Sequence, residues 1–367
     1  MARFPARALA AAALAAAATA AFPAAAAAAD PRGAAPGSPN PLASVPAWFV
    51  DSDWHPAWGT YRSWRRTRPA DAGQILKIAR QPQFRWFGKW ETDIERKVRL
   101  YLEKVDRLQP GSVPSITIFR HPHPRSTDPN VYGKSHKLRR YSFGAAAYSS
   151  YDRWIDAFAR GVGGRRVVIA FEPDALGSHI YLTKRDQGRR FRSFRRAIDV
   201  LSRLPNATIY LEAGASDWRP AGETARFLRY IGIHKVRGFM LNATHFDWTS
   251  SNVAHGLKIS QLTGGKPFVI STHANGRGPH HYRKRYRGRR IRVNVWCNPR
   301  NSALGSPPTT KTDHPKVDAY LWIGRAGYSA GRCNGGTPAG TWWAERALTL
   351  ARRTPWTQGP LSLPFGG

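Results

Sequence analysis

The stretch Val167-Val168-Ile169-Ala170-Phe171-Glu172-Pro173-Asp174 limits what this chain can fold into more than any other. Five apolar residues in a row, β-branched at the start, specify a strand buried on both faces, as in a parallel sheet covered by helices. Pro173 lacks the amide hydrogen that a central ladder needs, so the strand ends before it. Asp174 is thereby placed at the carboxyl end of a buried parallel strand, with Glu172 two residues earlier. Chemistry gathers at that end in α/β sheets and barrels. On position alone, a polar strand end facing solvent fits equally well.

The remainder of the chain repeats the pattern. A helix is expected over 70–81, a short strand at Phe84–Phe87, and a helix capped by Thr92 or Asp93 with Ile94, Val98, Leu102 and Val105 at helical spacing. Strand Ser115–Phe119 follows, then a basic loop over 120–142 and a helix capped by Ser149 or Ser150. Beyond Phe171 come a helix over 189–204, strand Ala207–Leu211, helix Ala221–Ile231, strand Gly238–Leu241 and a helix over 251–262. Strand Pro267–Ser271, a long loop, strand Val317–Ile323 and a last helix over 339–352 complete the series. Strands alternating with helices imply βαβ units, and about seven strands at this spacing suit an α/β barrel. No Gly-x-Gly-x-x-Gly follows the first strand and no P-loop is present, so no cofactor is expected.

The first residues read as an export signal: Arg3 and Arg7, an alanine-rich apolar run over 8–21, and a small-residue cleavage site near Ala29. The expected organisation is a signal peptide at 1–29, a Pro/Gly/Ala-rich linker at 30–45, and one domain at 46–367 in a secreted monomer. No later stretch approaches the roughly 20 apolar residues of a membrane span. Two cysteines, Cys297 and Cys333, suggest one disulfide in an exported chain, with a metal pair or two free thiols as the alternatives. The histidines show no ligand spacing around either cysteine, so no metal is expected.

There are 57 Lys and Arg against 23 Asp and Glu, a net charge of +34. Such a balance raises nucleic acid as a partner. The charge, however, falls in runs such as 189–196 and 283–290. In the first of these, Phe194, Ala197, Ile198 and Leu201 recur at helical spacing, which puts the arginines on an outer face. Solvated charge on helices is therefore expected, with anionic cell-surface polymers as a second partner and nucleic acid disfavoured.

Several segments, in this order, resemble family 6 of the glycoside hydrolases, the secreted cellobiohydrolases and β-1,4-endoglucanases. They are Phe171-Glu172-Pro173-Asp174-Ala175-Leu176, Tyr210-Leu211-Glu212-Ala213-Gly214, Gly238-Phe239-Met240-Leu241-Asn242, Asn275-Gly276-Arg277-Gly278-Pro279 and the stretch from Trp296-Cys297-Asn298-Pro299 to Thr341-Trp342-Trp343. The resemblance implies a distorted seven-stranded parallel α/β barrel, TIM-like, with loops over a β-glucan polysaccharide. It implies that Asp174 is the general acid protonating the leaving glycosidic oxygen. Burial and the nearby Glu172 are expected to keep its proton available. It further implies a Cys297–Cys333 disulfide and substrate binding by Trp86, Trp218, Trp296 and Asn242, the indole faces stacking on sugar rings.

The departures from the family matter as much. Ala330 stands where the family has an aspartate serving as, or assisting, the base; Tyr328 replaces a glutamate, Gly324 a lysine and Ala215 a histidine. The family's Arg-Asp-Cys after strand Ser115–Phe119 is absent, which leaves Asp128 as the nearest substitute. Glu212, Asp128 and Ser142 are the candidate bases or supports, with Asp217 and Asp313 as further carboxylates. The chain reads as an inverting glucanase, of weak activity if the base is lost. The alternative is a non-catalytic glucan- or wall-binding protein that kept the aromatic cleft.

Overall fold

The computed structural model describes residues 38–123, 140–286, 288–354 and 356. The signal segment and Asp128 lie outside them. Seven parallel strands form one sheet in the order β1 (Arg85–Gly88), β2 (Ser115–Phe119), β3 (Val167–Phe171), β4 (Ala207–Glu212), β5 (Gly238–Leu241), β6 (Phe268–Ser271) and β9 (Val317–Leu321). The sheet curls until its edges meet without a full ladder: Phe84 N–H donates to Trp322 O at 3.4 Å and the Trp86 indole to Ile323 O at 2.9 Å. This is the distorted seven-stranded α/β barrel.

Strand β3 explains why its sequence is apolar throughout. Val167, Ile169 and Phe171 pack outward against helices, whereas Val168 and Ala170 pack inward with Tyr210, Met240, Val269 and Ala319. Both pleat faces are buried, so neither tolerates a polar side chain. The outer layer comprises α3 (Ile94–Leu108), α4 (Gly144–Val162), α6 (Lys184–Leu201), α7 (Ala221–Ile231) and α8 (Thr249–Leu262). Asp93 caps α3 by accepting from Arg96 N–H, and Ile94, Val98, Leu102 and Val105 are its buried stripe. Helices α1 (Pro56–Trp64), α2 (Pro69–Ala79) and α9 (Ala344–Arg352) close the seam between first and last strands.

Several expectations need correction. Residues 38–45, expected in the linker, are packed: Leu42 is 1% exposed in the inner core and Asn40 donates to Asp318 O at 2.6 Å. Helix α4 begins at Gly144, not at Ser149 or Ser150, and α9 begins five residues later than expected. Helix α1, started by His55 and Pro56, stands in an aromatic-rich stretch with Trp54, Trp58, Tyr61 and Trp64, where no element was expected. On α6, Arg190 is not on the outer face; it is 0% exposed and donates to Ala175 O, Ser178 Oγ and Pro122 O. The charged run over 283–290 is not helical. It forms β7 (His281–Tyr286) and β8 (Arg289–Asn294), a separate antiparallel pair inside the expected long loop.

Cys297 and Cys333 are disulfide-bonded, their Cα atoms 6.1 Å apart across a sequence separation of 36 residues. Closing a loop of that length restricts the unfolded chain by on the order of 3–4 kcal/mol. No helix of the described residues is long and apolar enough to cross a membrane.

Candidate active site

Every strand of the barrel delivers residues to one cleft at the carboxyl ends. The cleft holds about 1360 Å³ and is lined by Trp86 on β1, Phe119 at the end of β2 and His123 beyond it, Asp174 after β3, Asp217 and Trp218 after β4, and Thr244 and His245 after β5. His273 follows β6, and Arg325, Tyr328 and Ala330 follow β9. Trp296 and the base of the β7–β8 hairpin complete the wall.

The turn carrying Asp174 is left-handed on both sides of Pro173, with φ of 57° at Glu172 and 68° at Asp174. Each non-glycine residue in that region costs about 1–3 kcal/mol, a strain the surroundings must hold in place. Glu172 does so from below. Its carboxylate accepts from Arg120 N–H and His121 N–H, both at 3.0 Å from Oε2, and pairs with His121 Nδ1 at 2.5 Å. Burial pushes the Glu172 carboxyl up to about 7 against those hydrogen bonds, and burial together with Arg190 pushes His121 well down. Arg190, drawn down to about 10 by burial, ties Ala175 just beyond Asp174 to Pro122. Glu172 is thus spent on anchoring the strand end and does not face the cleft beside Asp174 as its sequence spacing suggested.

Asp174 is half-buried, and Thr244 Oγ1 donates to its Oδ1 at 2.6 Å. Its carboxylate neighbour is Glu212, which is 3% exposed and accepts from Gly214 N–H at 2.8 Å. Burial first, and the Asp174 charge second, hold the Glu212 carboxyl well above the usual range.

Asp217 is the second carboxylate on the cleft wall among the described residues. Its Oδ1 takes His245 Nδ1 at 2.9 Å and its Oδ2 takes Asn294 Nδ2. Burial raises its pKa, but the His245 hydrogen bond and charge, with Asn294, outweigh that and bring it below the ordinary value. His123, half-buried near Asp174, is drawn down to about 4 by burial and His121.

The aromatic residues divide in two. Trp218 stacks on His245 with ring centroids 4.4 Å apart at 21° and rests on the bare backbone of Gly177. Trp296 and Trp86 both line the cleft; Trp86 also packs on Phe119 and under Arg325. Asn242 does not reach the cleft. It is 0% exposed at φ 65°, with its amide bonded to Asp247 and to Ser271 O, so it straps loops together.

The remaining candidates lie elsewhere. Ser142 is exposed and bonds Asp186 at the start of α6, and Asp313 accepts from Tyr320 on the approach to β9. Ala330 is exposed on the cleft wall, so no carboxylate stands at that position. The room for a lysine at Gly324 is taken by the His273 ring, which lies 2.3 Å from where a Cβ would be. Sequence reasoning missed Thr244, His245 and His123. Each is a single polar residue in a loop, with no motif to mark it.

Residues 44–354 match the family described as Glycosyl hydrolases family 6. Endoglucanase A of Cellulomonas fimi is 32% identical over 296 residues, which are 81% of this chain and 60% of that relative. Endoglucanase 1 of Streptomyces halstedii is 29% identical over 298 residues, 78% of this chain and 84% of the relative. Among solved structures, the endoglucanase Cel6 from Mycobacterium tuberculosis, in complex with methyl-cellobiosyl-4-deoxy-4-thio-β-D-cellobioside, superposes with a TM-score of 0.72 and 33% identity. That match covers 86% of this chain and 99% of the other. The chain thus spans about three fifths of the length of the Cellulomonas relative.

Proposed function

The chain belongs to glycosyl hydrolases family 6, and from that premise we propose that it is a secreted β-1,4-glucanase that inverts configuration at the cleaved bond. Asp174 is the general acid. Inversion needs a second carboxylate to activate water on the opposite face of the sugar, with the two groups roughly 6.5–9.5 Å apart. Glu212 is unsuited to that task, since a neutral carboxyl cannot take a proton; its part is to support Asp174. Asp217, ionised and facing the cleft, is the base. The observation that carries this reading is one shared support: consecutive residues Thr244 and His245 hold Asp174 and Asp217 in the same cleft.

Trp218 and Trp296 supply faces for glucose rings, and Trp86 a further one at the seam. Export rests on Arg3, Arg7 and the alanine run that follows them, and the catalytic domain takes in the packed residues 38–45 together with the family match over 44–354. The exposed Ala330 favours a second reading, in which the aromatic cleft binds glucan without cleaving it.

Release of reducing ends from a panel of β-glucans by the purified protein separates the two. Asp174→Asn should lower turnover on unactivated polymer by roughly 10²–10⁴-fold, the usual worth of a general acid, and spare aryl glycosides whose leaving group needs no proton. Wild-type rates on polymer in Asp174→Asn would remove Asp174 from the acid's role. Binding without turnover in the wild type would establish the second reading.

A further inference from the structure

The β7–β8 hairpin is built against its own stability. Its register sets Arg283 directly opposite Arg292 and Arg285 directly opposite Arg290. Side chains alternate along a strand, so all four fall on one face of the ribbon, with Cβ atoms of opposed pairs about 4.5–5.5 Å apart. Like charges directly opposite destabilise a ladder, and an isolated two-stranded ribbon is marginal to begin with. Local carboxylates would relieve the repulsion, but no aspartate or glutamate occurs between Asp247 and Asp313. All four arginines are exposed, and among the described residues none meets a carboxylate. On this face, among the described residues, Arg292 donates to His281 Nδ1 at 2.7 Å, which adds no negative charge, and Asn294 at the ribbon's base donates to Asp217, a carboxylate with which none of the four arginines pairs.

The ribbon's base is part of the cleft. Tyr282, Arg292 and Asn294 line the wall, and Asn294 donates to Asp217, whereas Arg283, Arg285 and Arg290 continue outward from it. A polymer leaving the cleft on this side therefore runs along a row of guanidinium groups, whose planar fork matches carboxylates in two-point contact. We propose that the hairpin is a binding site for a carboxylate-bearing polysaccharide, so that the preferred substrate is an acidic β-linked glucan rather than a neutral one. This rests on the glucanase reading. The continuity of hairpin and sugar cleft favours a glycan over nucleic acid, which needs no cleft.

The test uses the triple variant Arg283→Gln/Arg285→Gln/Arg290→Gln, which leaves the cleft-lining Arg292 in place. Binding and KM are measured on carboxymethyl cellulose, on neutral hydroxyethyl cellulose and, for binding, on duplex DNA, at low and high salt. The wild type should prefer carboxymethyl cellulose roughly tenfold at low salt, and screening should abolish the preference at 1 M, where the Debye length is about 3 Å. The triple variant should lose that preference yet keep wild-type values on hydroxyethyl cellulose, which also reports its folding. An undiminished preference for carboxymethyl cellulose in the triple variant would overturn the proposal, as would tighter binding of DNA at equal charge concentration. Failure of the wild type to bind either cellulose would overturn the glucanase reading itself, a separate outcome.

Discussion

The Thr244 hydroxyl donates to Asp174 Oδ1 at 2.6 Å and fixes the acid's carboxyl from the end of β5, two strands away in the sheet. Asp174 enters on a strained left-handed turn, so its backbone alone does not set where the carboxyl points. Thr244→Val keeps the side chain's shape and removes the donor. Once Asp174 has given up its proton this bond is one to a charged group, worth about 1.5–3 kcal/mol, so turnover on unactivated glucan should fall roughly 10- to 100-fold. Aryl glycosides with acidic leaving groups should be little affected. Equal losses on both substrates would mean that Thr244 orders the loop rather than the acid.

Asp217 and Ala330 make a paired test of the base. Asp217→Asn should lower turnover by roughly 10²–10⁴-fold with KM little changed, because the water loses its proton acceptor. Ala330→Asp restores a carboxylate at the family's usual position. It should change the wild type little, but recover part of the turnover in the Asp217→Asn background. Full activity in Asp217→Asn would return the base to another group.

How much of this was legible follows from where sequence carries a period. Strands β2, β3 and β5 and helix α7 stand at their expected bounds, since buried faces on both sides, or a clear helical stripe, leave one solution. The hairpin was hidden because arginine and lysine dominate both of its strands, and a run of charge reads as a solvated surface whatever its backbone does. The inward Arg190 was hidden for a related reason: its three acceptors are two backbone carbonyls and one hydroxyl, contributed by the short helix Ala175–His179 and by Pro122 in the loop after β2. Asp174 was legible because Pro173 marks the strand end. Its partner Thr244 was not, because the contact joins residues 70 apart that only the barrel brings together.

Glu172 makes a pH prediction with a definite sign. Its carboxyl is raised from 4.5 to about 7 by burial, so the folded chain holds a proton there that the unfolded chain has lost in between. Its contribution to stability is complete below pH 4.5 and lost as pH rises through 7. Glu172→Gln cannot titrate. The stability of wild type relative to Glu172→Gln should therefore fall with rising pH across that window, by ~3 kcal/mol if the whole shift is expressed. The buried His273 slopes the other way, but it is common to both proteins and cancels in the difference, whereas His121, bonded to Glu172, belongs to the pair that the comparison reads. Urea denaturation of both at pH 4.5, 5.5, 6.5 and 7.5 gives the comparison. Parallel curves would mean that Glu172 is ionised throughout, held so by Arg120, His121 and Arg190.

Trp218 can be tested without touching the sugar or the indole. A Cβ on Gly177 would fall 1.5 Å from Cζ2 of Trp218, a distance no rotamer adjustment of an alanine relieves, so Gly177→Ala must displace the ring. The indole also stacks on the His245 imidazole, which bonds Asp217. Gly177→Ala should then weaken oligosaccharide binding by roughly 1–3 kcal/mol, the range expected for Trp218→Ala itself. It should also disturb His245 and lower turnover through Asp217, a loss that Trp296→Ala should not share. Calorimetry with soluble cello-oligosaccharides, together with turnover on polymer, separates these effects. Undiminished binding in both Gly177→Ala and Trp218→Ala would assign Trp218 to packing against His245 and leave the stacking to Trp296.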